Sequence, residues 1–169
     1  MKKIILIGPG ASGKDYLFDY LSNFYDRGIK YTTRPKRDNE IENYTYYYTN
    51  NNQFINMINN KEMSIYEHFK KQDWYYGYSQ LELNTKELFI MTPNEIKQIN
   101  DLSQYFIIYL NIDRYVRKIR LLTRSDEDSI KNRLIADDKT FKNFNTYDYV
   151  ITNEIFDCHE IYTDIDELI

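Results

Sequence analysis

The chain has 169 residues, 42% of them hydrophobic and 28% charged, with a formal net charge of −4 and a pI near 5.3. That length suits one domain with a core of its own, the composition excludes a disordered tail, and no stretch approaches the ~20 apolar residues that span a bilayer. The acidic balance disfavours a nucleic-acid coat or an anionic membrane surface, so any anionic ligand must be held by a local cluster of donors. Cys158 is the only cysteine, and His68 and His159 are the only histidines. A disulfide framework and a cysteine-rich zinc site are thereby excluded, and little is left for a histidine-based triad. The 18 tyrosines read as a coding bias, because around Tyr44–Tyr48 the neighbours are Asn and Thr, not the Lys and Arg that a stacking platform for nucleic acid needs.

In chain order, Lys2–Ile7 is an isoleucine-rich run that suits a buried parallel strand. It breaks at Gly8, too early for a secretory segment, so a cytoplasmic protein is expected. From Lys14 to Tyr25, Leu17, Phe18, Leu21 and Phe24 or Tyr25 recur at helical spacing, and Gly28 ends that unit. Ile29–Thr33 opens a polar, tyrosine-rich region extending to about Gly77, read as short strands with one helix around Phe54–Ile58. Leu88–Met91 is a strand, and Thr92-Pro93-Asn94-Glu95 spells an N-cap, a first-position proline and an acidic first turn. Tyr105–Leu110 is another strand, followed by a helix from about Asp113 to Thr123. Its core stripe is expected to be Tyr115, Val116, Ile119 and Leu122, with Arg117, Arg120 and Arg124 on another face. After the polar break Arg124–Asp128 come a helix to about Phe141, a last strand Tyr149–Ile151 and a helical C-terminus. This alternation predicts an α/β fold: a parallel sheet covered on both faces, with the site at the carboxyl ends of its strands.

Gly8-Pro9-Gly10-Ala11-Ser12-Gly13-Lys14 matches G-x-x-x-x-G-K directly between a strand and a helix, the context in which this motif cradles phosphates. Backbone N–H groups of Gly8, Gly10, Ala11, Ser12 and Gly13 face the anion, the helix N-terminus adds partial positive charge, and Lys14 reaches the terminal phosphates. The next position usually carries a magnesium-binding hydroxyl; here it is Asp15, a carboxylate that can serve a hard cation directly or through water.

Tyr31-Thr32-Thr33-Arg34-Pro35-Lys36-Arg37-Asp38-Asn39-Glu40 resembles the T-T-R-x-x-R-x-G-E stretch of guanylate kinases, and Tyr46, Glu67 and Trp74-Tyr75-Tyr76-Gly77 continue the resemblance. With the phosphate loop included it covers nearly the whole chain. It implies a three-layer P-loop fold: a core of residues 1–29 and 81–169, a nucleoside-monophosphate-binding insert of about 30–80, and a short arginine-bearing lid at about 123–130. By the same resemblance Arg34, Arg37, Tyr46 and Tyr76 clamp the acceptor phosphate, and Glu67 and Thr92 face its base. Arg120, Arg124 and Arg133 close over the transferring phosphoryl group, and Asn153 lies near the adenine. Two guanidinium forks three residues apart do suit one phosphate dianion, and a carboxylate suits the N1–H and 2-amino edge of guanine.

The sequence departs from the family at three places. Leu88-Phe89-Ile90-Met91-Thr92-Pro93 lacks the aspartates that assist magnesium and guanine binding, which leaves Asp15 as the metal candidate. The serines that touch guanine align with Lys30 and Tyr78. The expected activity is a Mg²⁺-dependent transfer from ATP to a nucleoside monophosphate, most simply GMP or dGMP, by a monomer or homodimer with no nucleic-acid or membrane partner. A non-catalytic nucleotide- or phosphopeptide-binding module, and a P-loop kinase for another phosphorylated small molecule, are the competing readings.

Overall fold

The computed structural model describes residues 2–123 and 127–169, with the side chains of 127 and 128 excepted. The elements are β1 (Lys3–Ile7), α1 (Lys14–Leu21), β2 (Lys30–Thr32), β3 (Tyr46–Tyr48), α2 (Asn51–Asn59), β4 (Met63–Phe69), β5 (Trp74–Ser79), α3 (Gln80–Thr85), β6 (Leu88–Ile90), α4 (Pro93–Ile96), β7 (Tyr105–Leu110), α5 (Arg114–Leu122), α6 (Glu127–Phe141), β8 (Tyr149–Ile151) and α7 (Cys158–Leu168). The order of strands and helices is the expected one except for α3, which the sequence reading did not include and which Ser79 caps by accepting from the Glu82 N–H.

One sheet runs β6-β1-β7-β8 with every pairing parallel. Side chains alternate across it at the strand period. On one face Ile4, Leu6, Phe106, Ile108 and Leu110 pack with Leu17 and Leu21 of α1 and with Ile161 and Ile165 of α7. On the other, Ile5, Ile7, Phe89, Ile107 and Tyr109 pack with Met91, Ile96 and Tyr78. Burial on both faces is why these strands are continuous apolar runs rather than alternating ones.

A second sheet, β3-β2-β5-β4, is antiparallel except for the β2–β3 pair. Helix α2 is capped by Asn50, whose side chain accepts from the Gln53 N–H, and it buries Phe54 against Tyr75. This sheet docks on the carboxyl end of β6. Gln98 after α4 bonds both backbone groups of Tyr66, and the Tyr78 hydroxyl both donates to Ile90 O and accepts from Ile90 N–H.

Two expectations are corrected. Helix α1 stops at Leu21, because Ser22 and Asn23 turn their side chains back onto the carbonyls of Asp19 and Tyr20, and of the two aromatics beyond, Tyr25 is buried while Phe24 is half exposed. In α5 three of the four residues of the expected core stripe face outward: Tyr115 is 70% exposed, and Ile119 and Leu122 about half so, while Val116 packs partly buried against the core and Arg117 and Leu121 are buried. The inner face is set by α6, where Leu121 packs with Ile130 and Leu134, and Arg117 reaches Asp137, Asp138 and the carbonyl of Ile112.

Candidate active site

The turn from β1 into α1 is built by backbone conformation. Gly13 sits at φ 99°, a left-handed value that suits glycine, and caps α1 without a side-chain bond. Ser12 is fully buried. Lys14 is not extended into solvent as a phosphate-seeking side chain would be. Its Nζ folds back onto Gly8 O at 2.7 Å, Pro9 O at 2.8 Å and Ser12 Oγ at 3.4 Å. Burial lowers its pKa to about 8; the Arg133 and Lys30 cations push the same way, and the Asp15 and Asp137 carboxylates oppose. Asp15 lies exposed in the first turn of α1.

The loop is covered from two helices. Arg120 of α5 donates to Ala11 O at 3.1 Å and to Glu154 O at 2.7 Å, bridging the loop to the segment after β8. Arg133 of α6 lies so close to Gly10 that a Cβ there would stand 2.7 Å from its Nε, and the guanidinium would have to shift to admit one. Asn153 is exposed, and its side chain accepts from the Ile155 N–H, capping its own turn. Arg124 and residues 124–126 of the expected lid lie outside the described residues.

On the second sheet Arg34 is buried. Its guanidinium donates to Glu40 Oε1 at 2.5 Å, to the Tyr76 hydroxyl at 3.0 Å and to Pro35 O at 2.8 Å, and it lies 5.4 Å from the Tyr46 ring centre. Tyr46 and Tyr76 stack edge to face, and burial raises the Tyr46 pKa to about 12, so the Tyr46 hydroxyl keeps its proton to donate. Arg34, Tyr46 and Tyr76 are thus brought together, whereas Arg37 is exposed on the loop and contributes its backbone N–H to Glu40. Glu40 also accepts from the Tyr48 hydroxyl. Burial alone would raise its carboxyl; the bonds from Arg34, the Arg37 N–H and Tyr48 outweigh that and hold it at about 2, against an ordinary 4.5. A carboxyl depressed in the native state stabilises the fold above its unfolded pKa and loses that contribution as pH falls towards 2. The stability gap between the native chain and Glu40→Gln should therefore be full above pH 5 and close between pH 5 and about 2 in denaturant titrations; a pH-independent gap would show that Glu40 is not held as an ion.

Glu67 on β4 is engaged by α4. The Thr92 hydroxyl donates to its Oε2 at 2.7 Å and the Asn94 amide to its Oε1 at 2.9 Å. Thr92 and Glu95 form a reciprocal capping box, and Glu95 Oε2 also accepts from Lys30 Nζ at 2.7 Å. Glu95 is fully buried, its other oxygen has no partner among the described residues, and burial pushes its carboxyl up against the pull of Lys30. The two positions aligned with serines are therefore filled differently: Lys30 by an ion pair, and Tyr78 by a buried hydroxyl bonded to β6.

Four residues of this cleft were not singled out from sequence as site residues: Glu40, Asn94, Glu95 and Asp137. Glu40 closed the Thr-Thr-Arg segment, and Asn94 and Glu95 stood in the recognised cap, so their signals were present but read as local. Asp137 carried no signal in the sequence.

Comparison with known proteins bears on the whole chain. The guanylate kinase family model matches residues 1–169. A guanylate kinase of Rickettsia felis is 30% identical over 167 residues, covering 91% of this chain and 86% of that protein, and one from Malacoplasma penetrans is 25% identical over 169 residues, covering 90% and 85%. A crystal structure of guanylate kinase from Anaplasma phagocytophilum superposes with a TM-score of 0.72 over 99% of this chain and 83% of that one, at 20% identity, which speaks for the fold. With the phosphate loop at the end of β1, the Thr-Thr-Arg segment on a second sheet facing it, and the family's pattern matched from end to end, this chain belongs to the guanylate kinase family.

Proposed function

We propose that this chain transfers the γ-phosphoryl group of ATP to the phosphate of a nucleoside monophosphate, GMP or dGMP, giving ADP and the diphosphate. The observation that carries this reading is the convergence of Lys14, Arg120 and Arg133 from three helices on one phosphate loop. The residues 30–80 act as the acceptor unit, with Arg34, Tyr46, Tyr76 and the nearby Arg37 on the acceptor phosphate and Glu67, released by Thr92 and Asn94, on the base. Gly8, Gly10, Ala11, Ser12 and Gly13 supply the loop that holds ATP, and Asn153 lies on its adenine side.

In the transfer an oxygen of the acceptor phosphate forms a bond to the γ-phosphorus as the bond to the β–γ bridging oxygen breaks. The attacking oxygen is already anionic, so no general base is needed. Catalysis is positioning plus neutralisation of charge by Lys14 and the arginines. Among the described residues no three acidic, imidazole or thiol side chains gather to hold a metal, yet a magnesium ion brought in with a nucleotide would need only one or two protein carboxylates. Exposed Asp15, one residue after Lys14, fits that need. Asp15 would hold the ion, whose charge would offset that of the nucleotide's phosphates. Among the described residues no helix is long and apolar enough to cross a membrane, in keeping with a cytoplasmic enzyme.

A coupled ADP-release assay with ATP, Mg²⁺ and a panel of ribo- and deoxynucleoside monophosphates tests the reading. Turnover should be greatest with GMP or dGMP; ATP binding without turnover of any acceptor would favour a binding module. Asp15→Ala is expected to raise the Mg²⁺ concentration for half-maximal rate more than the acceptor KM, and Asp15→Ser to retain part of the activity. A Mg²⁺ titration superimposing on that of the native chain would leave Asp15 as a first-turn acid of α1 and nothing more.

A further inference from the structure

Asp137, in the third turn of α6, has no part in the chemistry above, yet it touches the phosphate loop. Its Oδ2 accepts from the Gly10 backbone N–H at 2.9 Å and from Arg117 Nη1 at 3.4 Å, and only a fifth of its side chain is exposed. Arg133, one turn earlier on the same helix, lies against Gly10. Lys14 is turned back onto loop carbonyls, and Arg120 onto Ala11 O. The loop's cations are therefore satisfied by the protein itself, and one of its anion-seeking N–H groups by a carboxylate. A carboxylate oxygen at that N–H offers the acceptor chemistry of a phosphate oxygen.

We propose that Asp137 is a built-in competitor of the nucleotide's phosphates: its carboxylate occupies the Gly10 N–H of the empty loop, straps α6 across it, and must be displaced when ATP or ADP binds. The proposal rests on the reading of the loop as the nucleotide phosphate site. The strap is anchored on α5. Asp138 accepts from Arg114 Nε at 2.6 Å and from Arg117 Nη2 at 3.4 Å, so Arg117 holds both aspartates while only Asp137 reaches the loop. Once displaced, Asp137 carries its helix with it. Arg133 is then free to turn from Gly10 to the phosphates, so release of the strap and arrival of the lid arginine are one motion.

When the binding-competent state is only about a tenth of the population, apparent affinity falls about tenfold, and removing the competitor restores it. Calorimetric titration of the full chain with ADP and separately with inorganic pyrophosphate should show about tenfold tighter binding for Asp137→Ala and a smaller gain for Asp137→Asn, which keeps the shape and removes the charge. Asp138→Ala, which loosens the anchor on α5 but leaves the Gly10 contact in place, should gain less than Asp137→Ala with both ligands. The gain must be equal for pyrophosphate and ADP, because the competition is for the loop alone. Unchanged or weaker binding in both Asp137 variants overturns the strap, as does a gain confined to ADP. Failure of the native chain to bind either ligand would instead remove the phosphate-loop reading, and the strap with it.

Discussion

Lys14→Ala is expected to lower kcat by ~10²–10³ and leave the fold in place, the usual effect of removing one preorganised electrostatic stabiliser from a reaction centre. The structure separates the two effects. Among the described residues Lys14 Nζ bonds only acceptors of its own loop, Gly8 O, Pro9 O and Ser12 Oγ, while the apolar packing of α1 rests on Leu17, Phe18 and Leu21. Its pKa is lowered to about 8 by burial, the mark of a cation held at some cost to the empty protein. The melting temperature of Lys14→Ala should accordingly match or exceed that of the native chain while the ADP-release rate collapses. A variant that melts normally and turns over at near-native rate would place the reaction centre elsewhere.

The largest expected loss of stability comes from Lys30→Met. Lys30 and Glu95 form an ion pair between β2 and α4 with side-chain exposures of 12% and 0%. Removing the lysine leaves a fully buried carboxylate whose second oxygen has no partner among the described residues. Breaking such a pair from one side typically costs about 3–5 kcal/mol, because the surviving charge keeps its desolvation and loses its partner. At this chain length each kcal/mol moves the melting temperature by about 2–4 °C. Lys30→Met should therefore melt roughly 6–20 °C lower. Lys30→Met with Glu95→Gln should recover much of the loss by removing the orphaned charge, although the amide introduced there must still find partners of its own. Equal melting of native and single-variant chains would mean that Glu95 takes up a proton without strain and that the pair does not hold the second sheet to β6. The consequence reaches the site, since the same capping box carries Thr92, which holds Glu67.

The features legible in the sequence are those written in short spacings. The apolar run of β1, the glycine pattern of the loop and the apolar positions of α1 lie within the first 21 residues, and each follows from local backbone preference or strand and helix periods. Thr92-Pro93-Asn94-Glu95 specified the start of α4 because a capping box closes within four residues. The grouping of Arg34, Tyr46 and Tyr76 followed from resemblance, and pairing of β2 with β3 and β5 supplies the physical means. What the tertiary structure decided are the partners of charged groups far apart in the chain. Gly10 and Asp137 are separated by 127 positions and Lys30 and Glu95 by 65, and no periodicity links them. Helix α5 shows the same limit within one element. Its apolar residues define a stripe by spacing, yet of that stripe only Val116 packs inward, and Arg117 and Leu121 are buried instead of the other three, because α6 presents aspartates for the guanidinium and Ile130 and Leu134 for the leucine. Spacing along a chain fixes which residues share a face, whereas the direction that face turns depends on the desolvation and pairing of charges, which only the packed neighbour determines.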